Sequence, residues 1–398
     1  MLKDQGGQLC AILYGYTVLR VEHDDSPQDG YPQAPPVPQR GRGAVLNVRH
    51  RFEGDRRDAV DDGWAAPEEE PPPLRTEVAI ERARKILSRN DSPDIPFDRA
   101  INPYRGCEHG CVYCFARPTH AYLGWSPGLD FETRLVAKAN AVEALRAELG
   151  RPGYRVDVIN IGSATDAYQP IERQWKLTRG LLELLLETRH PVSLVTKGGL
   201  VARDVDLLAR LAELKLVAVY VSIGTLDGHV ARTLEPRAAA PWKRLEAVRT
   251  LAGAGVPVGV SLAPVIPFIT DDHIEHVLEA AKEAGARAAF YTMLRLPWEV
   301  KDVFSDWLEA HFPDRKARVL HCLEDLRGGK LNDARFGSRM RGQGIWADLV
   351  AQRFGRAARR HGLADRRIEL ETGLFRPPPR SPRGKEPPAD TGQMPLFG

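Results

Sequence analysis

Cys107-Glu108-His109-Gly110-Cys111-Val112-Tyr113-Cys114 places three of the chain's five cysteines within eight residues. Thiolates separated by three and then two residues on one loop can wrap a metal centre. They cannot complete a four-iron cube, which ordinarily takes four cysteine ligands, so one iron would stay open to an outside ligand. The competing reading is a structural zinc site of three cysteines closed by His109 or His120. No second Cys pair follows, and Cys10 and Cys322 stand alone, which suits a zinc ribbon poorly. Spacing alone leaves both readings open.

Further chemistry-bearing residues sit where apolar runs end. Ile161-Gly162-Ser163-Ala164-Thr165-Asp166-Ala167-Tyr168-Gln169-Pro170-Ile171-Glu172 follows one such run. Thr165 and Asp166 there suit ligand binding at a barrel mouth or, more plainly, the capping of a turn. Lys197 closes Val195-Thr196-Lys197, Ser222 precedes Thr225-Leu226-Asp227, and Ala263-Pro264 ends a fifth run. Tyr291 and Arg295 flank the sixth and are expected at the same mouth, Arg295 suiting a phosphate or carboxylate. Cys322 is a candidate hydrogen donor, or simply a packed thiol on an apolar helix face.

These positions need a scaffold, and the pattern around them is regular. Short β-branched runs at Arg99–Pro103, Val156–Gly162, Val192–Thr196, Val217–Ile223, Val256–Ala263 and Arg287–Met293 read as strands. Helical periodicity follows at Arg134–Leu149, Leu177–Thr188, Arg203–Leu214, Pro241–Ala254 and Asp272–Ala284. Such βα alternation implies an α/β fold with a parallel sheet: a partial (β/α)₆ barrel, with a doubly wound open sheet as the competing topology. Beyond about Pro297, helices rich in Trp, Phe and Arg are expected at Lys301–Ala310, Ala317–Leu326 and Ile345–His361.

The chain has 398 residues, 43% hydrophobic and 27% charged, a composition of globular proteins. No stretch approaches the roughly 20 apolar residues of a membrane span. Few cysteines, three of them clustered, argue against a disulfide framework and for a reducing, cytoplasmic setting. Net charge is +3, but Arg327 to Lys385 carries thirteen Arg and two Lys against five acids. That asymmetry suits a surface facing phosphates, or else an Arg-rich solvated helix. Proline-rich stretches make residues 1–75 mostly unstructured and 377–398 a mobile tail, around a core at 76–300 and a helical basic extension at 301–376.

The loop, with an aromatic Tyr113 just before its third cysteine, resembles the Cys-x₃-Cys-x-aromatic-Cys motif of the radical S-adenosylmethionine superfamily. Asp166-x-Tyr168-Gln169-Pro170-x-Glu172, with Val195-Thr196-Lys197, Glu235-Pro236-Arg237 and Ala263-Pro264, is similar to its spore photoproduct lyase-like branch and uncharacterised bacterial relatives. The likeness to that group runs from about Gly41 to Phe375 and includes Asn102-Pro103-Tyr104-Arg105-Gly106 and Arg339-Met340-Arg341-Gly342. The resemblance implies a helically extended partial barrel that holds one [4Fe–4S] cluster on Cys107, Cys111 and Cys114. It further implies S-adenosylmethionine as cofactor, cleaved reductively to a 5′-deoxyadenosyl radical, with an electron donor of flavodoxin or ferredoxin type. By the same likeness Thr165, Lys197 and Ser222 would contact the methionine or ribose portion. Tyr113 would flank the ligand, and Ala263 would let the backbone approach the adenine.

One departure limits the analogy. The lyase has a hydrogen-donating cysteine after its second strand, whereas Ser163 stands at the corresponding place here, so repair by that route is not expected. The tail Gln393-Met394-Pro395-Leu396-Phe397 resembles the peptide by which bacterial replication and repair proteins dock on a sliding clamp. Together these readings point to radical chemistry on a damaged or modified nucleobase of DNA. The alternatives are modification of RNA, a peptide or a small metabolite, or a zinc- or cluster-stabilised nucleic-acid-binding module.

Overall fold

The computed structural model describes residues 38–54, 74–364 and 368–379. The remaining parts of the segment 1–75, Cys10, and the tail with Gln393, Leu396 and Phe397 lie outside the described residues.

Among the described residues ten strands form two sheets: β1 (Glu77–Glu81), β2 (Leu87–Arg89), β3 (Arg99–Ile101), β4 (Tyr104–Arg105), β5 (Arg134–Lys138), β6 (Ile159–Ile161), β7 (Val192–Thr196), β8 (Val217–Ser222), β9 (Val258–Val265) and β10 (Ala288–Met293). The large sheet has the order β10-β9-β8-β7-β6-β3-β2. Its pairs from β3 to β10 are all parallel, and only β2 runs antiparallel, on β3. Six parallel strands therefore succeed one another without reversal. Right-handed crossovers then put every connecting helix on one side, so the sheet is a partial barrel and not a doubly wound sheet, whose order turns back on itself. β10 does not pair with β2 or β3, which leaves the barrel open.

The strands alternate as this requires. Val219 and Val221 on β8 are register partners of Val258 and Val260 on β9, all fully buried. Tyr220 and Ser222, paired with Gly259 and Ser261, occupy the other face. The helices present matching stripes, such as Leu181, Leu182, Leu184 and Leu185 within Leu177–Glu187 and Leu207, Leu208 and Leu211 within Val205–Glu213. Truncating any one of these to Ala would cost about 2–5 kcal/mol, because close-packed neighbours collapse only partly into the space left.

One expected helix is corrected. Arg134–Leu149 is not continuous: Arg134–Lys138 is strand β5, and the helix runs over Ala141–Leu149. Leu135, Val136 and Ala137 are drawn into a small sheet between β1 and β4. Asn140 then stops the strand, its side chain accepting from the Ala83 amide at 2.7 Å and donating to the Ala83 carbonyl at 3.0 Å.

Residues 38–54 contain no helix or strand, yet Ala44, Val45 and Val48 are buried. This stretch is a strap laid across the cysteine loop. The helices Val300–His311, Pro313–Leu326 and Ile345–Arg360 share the core of the barrel, with Phe304, Trp307, Leu308 and Leu323 buried in it. Several arginines of the basic stretch have partners inside the chain. Arg339 pairs with Asp94, Arg353 with Glu275 and Arg335 with Asp333, while Arg327 donates to the carbonyls of Met293 and Leu294.

Candidate active site

The cysteine loop follows β3 and β4, at the C-terminal edge of the first parallel strand. Cys107 and Cys111 are buried and Cys114 is half-buried, and none of the three is in a disulfide. Burial pushes the Cys111 thiol up to about 12 and raises that of Cys107 well above its usual value. Among the described residues no three His, Cys, Asp or Glu side chains converge closely enough to share one metal ion. His120 Nε2 donates to the Arg134 carbonyl at 2.9 Å, and His109 Nδ1 lies 3.2 Å from Asp166 Oδ2. One ring nitrogen of each histidine is thus directed to a partner other than the thiols.

A buried ion pair backs the loop. Arg117 is fully enclosed and donates to the carbonyls of Cys111 at 2.8 Å, Gly110 at 3.1 Å, Pro127 at 3.0 Å and Gly128 at 2.8 Å. Its last hydrogen bond goes to Glu132, whose carboxylate also accepts from the amides of Gly43 at 2.9 Å and Ala44 at 2.8 Å. One carboxylate thus ties strap, loop and guanidinium together. The approach is close: a Cβ on Gly43 would fall 1.8 Å from the Gly110 carbonyl oxygen. Gly110 itself has φ +68° and would bring a Cβ 2.7 Å from the Glu132 carboxylate.

The string after β6 serves chiefly as a brace. Thr165 Oγ1 donates to the Gly106 carbonyl at 2.7 Å and accepts from Gln169 Nε2 at 2.9 Å. Gln169 Oε1 accepts from the Glu108 amide at 2.8 Å. The Thr165 hydroxyl is thereby committed to the loop, with one lone pair to spare. Asp166 accepts from Thr196 Oγ1 at 2.6 Å and from the Lys197 amide at 2.8 Å. Burial alone would raise its carboxyl, but the facing His109 and these donors hold it well below the usual range.

Lys197 and Tyr113 come together as expected. The ammonium lies 5.7 Å above the Tyr113 ring and has no carboxylate at ion-pair distance among the described residues. Burial opposes its charge, but the surrounding Cys111, Glu235 and Asp166 raise its pKa overall. Tyr113 is held in place by a hydrogen bond from its hydroxyl to Glu235, whose other oxygen takes Arg244. Arg244 also donates to the Ser222 carbonyl at 2.9 Å, which ties the loop to the end of β8. Ser222 and Ala263 stand on that same edge, at the ends of β8 and β9. Ser163 sits just past β6 and receives a hydrogen bond from Asn102 Nδ2 at 3.2 Å.

Two candidates are not brought to this site. Tyr291, expected at the mouth, packs against Phe354 of the helix Ile345–Arg360, ring centroids 4.8 Å apart. Strand alternation explains it, because the neighbouring Phe290 takes the opposite face and meets Tyr220. Cys322 is packed with Val319 and Leu323 in the core, its thiol pushed up to about 11 by burial. Arg295 does reach the mouth, 4.9 Å from the ring of Phe115, the residue after Cys114. Arg117, Glu132 and Arg244 carried no signal in the sequence, since isolated charges read as surface.

Residues 101–281 match the family described as Radical SAM superfamily. An uncharacterised protein of Mycobacterium tuberculosis is 38% identical over 226 residues, 56% of this chain and 66% of that protein. The matched part thus falls just short of two thirds of that relative's length. An uncharacterised protein of Methanocaldococcus jannaschii is 27% identical over 240 residues, 60% of this chain and 85% of its own. Spore photoproduct lyase complexed with dinucleoside spore photoproduct shares the fold, with a TM-score of 0.52 and 19% identity over 71% of this chain and 79% of that one. Residues 101–281 thus form a radical SAM domain, and members of that superfamily use a [4Fe–4S] cluster and S-adenosylmethionine.

Proposed function

We propose that this radical SAM enzyme abstracts a hydrogen atom from a damaged or modified nucleobase in DNA. The observation that carries the radical chemistry is the three-thiol loop at the edge of six parallel strands, faced by an unpaired ammonium. Cys107, Cys111 and Cys114 would hold the cluster, because the three thiols share one loop and none is in a disulfide. When bound, the cluster supplies the electron that splits S-adenosylmethionine into methionine and a 5′-deoxyadenosyl radical.

The protein's part is positioning. Lys197 offers its charge to a carboxylate, and the Tyr113 ring, fixed by Glu235 and Arg244, forms a flat wall beside it. The Ser222 side chain has no hydrogen-bond partner among the described residues and offers an adaptable hydroxyl. Burial of the loop and the strap across it keep water and oxygen off the sulfurs. A cluster so sensitive to oxidation suits a cytoplasmic setting, with a small iron–sulfur or flavin protein as electron donor. The net positive charge of the stretch from Arg327 to Lys385 supports a polyanionic substrate. Ser163 has no S–H to return a hydrogen atom, so the proposal stops at abstraction.

Anaerobic reconstitution followed by dithionite should yield 5′-deoxyadenosine from wild type and none from Cys111→Ala; undiminished product in that variant removes the loop from the mechanism. Oligonucleotides deuterated at lesion sites should pass deuterium into 5′-deoxyadenosine. If no damaged oligonucleotide does so while a peptide or metabolite does, the nucleobase reading is wrong.

A further inference from the structure

Beside the cysteine loop lies a cleft of about 220 Å³ lined by Arg51, Phe115, Tyr122, Arg295, Trp298 and Arg339. Small-molecule sites usually measure about 300–1,000 Å³, so this one suits a single flat ring better than a whole cofactor. Its walls are unusual for a protein surface. Phe115, Tyr122 and Trp298 are 49%, 67% and 58% exposed, and no Leu, Ile, Val or Met lines the cleft. Arg51 supports the aromatic rim from below: its guanidinium lies 4.1 Å from the Trp298 ring centre, 5.0 Å from Tyr122 and 4.7 Å from Phe52. Its charge is already met by Glu299 at 3.0 Å.

Two features have no explanation in packing. Trp298 is a bulky residue at φ +48°, in the left-handed region, and its ring is still held out in solvent. Backbone strain of this kind persists where the surroundings impose it and is concentrated at ligand sites. Arg295 is half-buried, yet its guanidinium has no hydrogen-bond acceptor among the described residues; it lies over the Phe115 ring, within electrostatic reach of Arg339 and Asp94. Its neighbour Arg339 is already paired with Asp94. A planar, weakly hydrated cation left open in an aromatic cleft is suited to a phosphate.

We propose that this cleft is a nucleotide-docking subsite, in which Arg295 takes a backbone phosphate and Trp298, with Tyr122 and Phe115, takes the face of an unstacked base of single-stranded nucleic acid. Alternating π-faces and guanidinium groups are what a strand with splayed bases requires: a flat wall for each base and a cation for the phosphate beside it. Since Phe115 adjoins Cys114 and Arg295 lies two residues past β10, the docked strand would run along the edge that carries the radical chemistry. The inference rests on the nucleobase reading above and extends it to the strand beside the reacting base.

The test uses the full-length, cluster-reconstituted protein and fluorescently labelled twelve-residue oligo-dT, oligo-rU and a blunt duplex. Single strands should bind more tightly than duplex. Trp298→Ala should weaken single-strand binding about tenfold or more, while Trp298→Phe keeps most of it. Arg295→Gln should weaken it and flatten the log–log salt dependence by about 0.7 to 1. Binding of dT but not rU, or of both, supports the subsite and identifies its sugar. Binding of neither, or equal affinity in wild type, Trp298→Ala and Arg295→Gln with unchanged melting midpoints, overturns it. The two readings fail separately. Mapped binding without deuterium transfer from any base leaves the subsite and removes the nucleobase reaction; transfer unaltered in both variants does the reverse.

Discussion

Glu132 and Arg117 are both fully enclosed behind the cysteine loop, and every hydrogen-bonding group of that guanidinium is used. A buried ion pair of this kind need not stabilise the fold relative to apolar residues, because each charge loses its hydration. Breaking it is a different matter, since the remaining charge stays buried and uncompensated. Glu132→Gln keeps the shape and one carbonyl acceptor, but it removes the charge and sets an amide NH₂ against one of the two strap amides. It should lower stability by about 3 kcal/mol, the lower end of what breaking a buried pair costs. A urea unfolding series on the full chain checks it. An unchanged midpoint would show that Arg117 is satisfied by the four backbone carbonyls alone.

The strap over residues 38–54 is the element whose role is least apparent from its composition. It lacks regular structure but meets the loop backbone to backbone at Gly43 and Gly110, with no room for a methyl group between them. Gly43→Ala should lift the strap and break the two amide bonds to Glu132. The expected cost is about 1–3 kcal/mol, as for other overpacked contacts, with faster proteolysis within 38–54. A cleavage rate equal to wild type would show that the strap yields without leaving the loop. Composition alone made this stretch part of an unstructured segment. The only contrary sign was a family likeness that begins near Gly41. The central parallel strands, β7, β8 and β9, were legible because each is a short β-branched run before a helical stripe. β5 was not, since Leu135-Val136-Ala137 abuts a true helix and pairs only with distant β1 and β4. The site divided in the same way. The cysteines, Tyr113 and Lys197 announce themselves by local spacing, but Glu132 meets Gly43 from 89 residues away, a distance no local pattern conveys.

At the scale of the molecule, the chain's last described segment is fastened to the barrel at a buried histidine. His190 is fully enclosed just before β7, its ring edge-on to Phe375 with centroids 5.3 Å apart. The Tyr154 hydroxyl lies 2.8 Å from Nε2, and Nδ1 lies 2.9 Å from the Pro191 carbonyl. A carbonyl only accepts, so Nδ1 carries the proton and Nε2 accepts from Tyr154, which is the neutral ring. The adjacent backbone completes the fastening, with the Arg376 amide donating to the Thr188 carbonyl at 2.8 Å. Burial lowers the His190 pKa to about 4, against about 6.5 in an unfolded chain. Between those values the unfolded chain binds a proton that the folded one refuses. Stability from this group is therefore present above about pH 6.5 and is lost as pH falls towards 4. From pH 7 to pH 5 the loss should be about 2 kcal/mol. His190→Gln can keep an amide in the same place but cannot titrate, so its own loss over that interval should be smaller by about that amount. Urea midpoints of both proteins at pH 7 and pH 5 decide the matter, and equal losses would mean that protonation of His190 does not govern how the 368–379 segment is held.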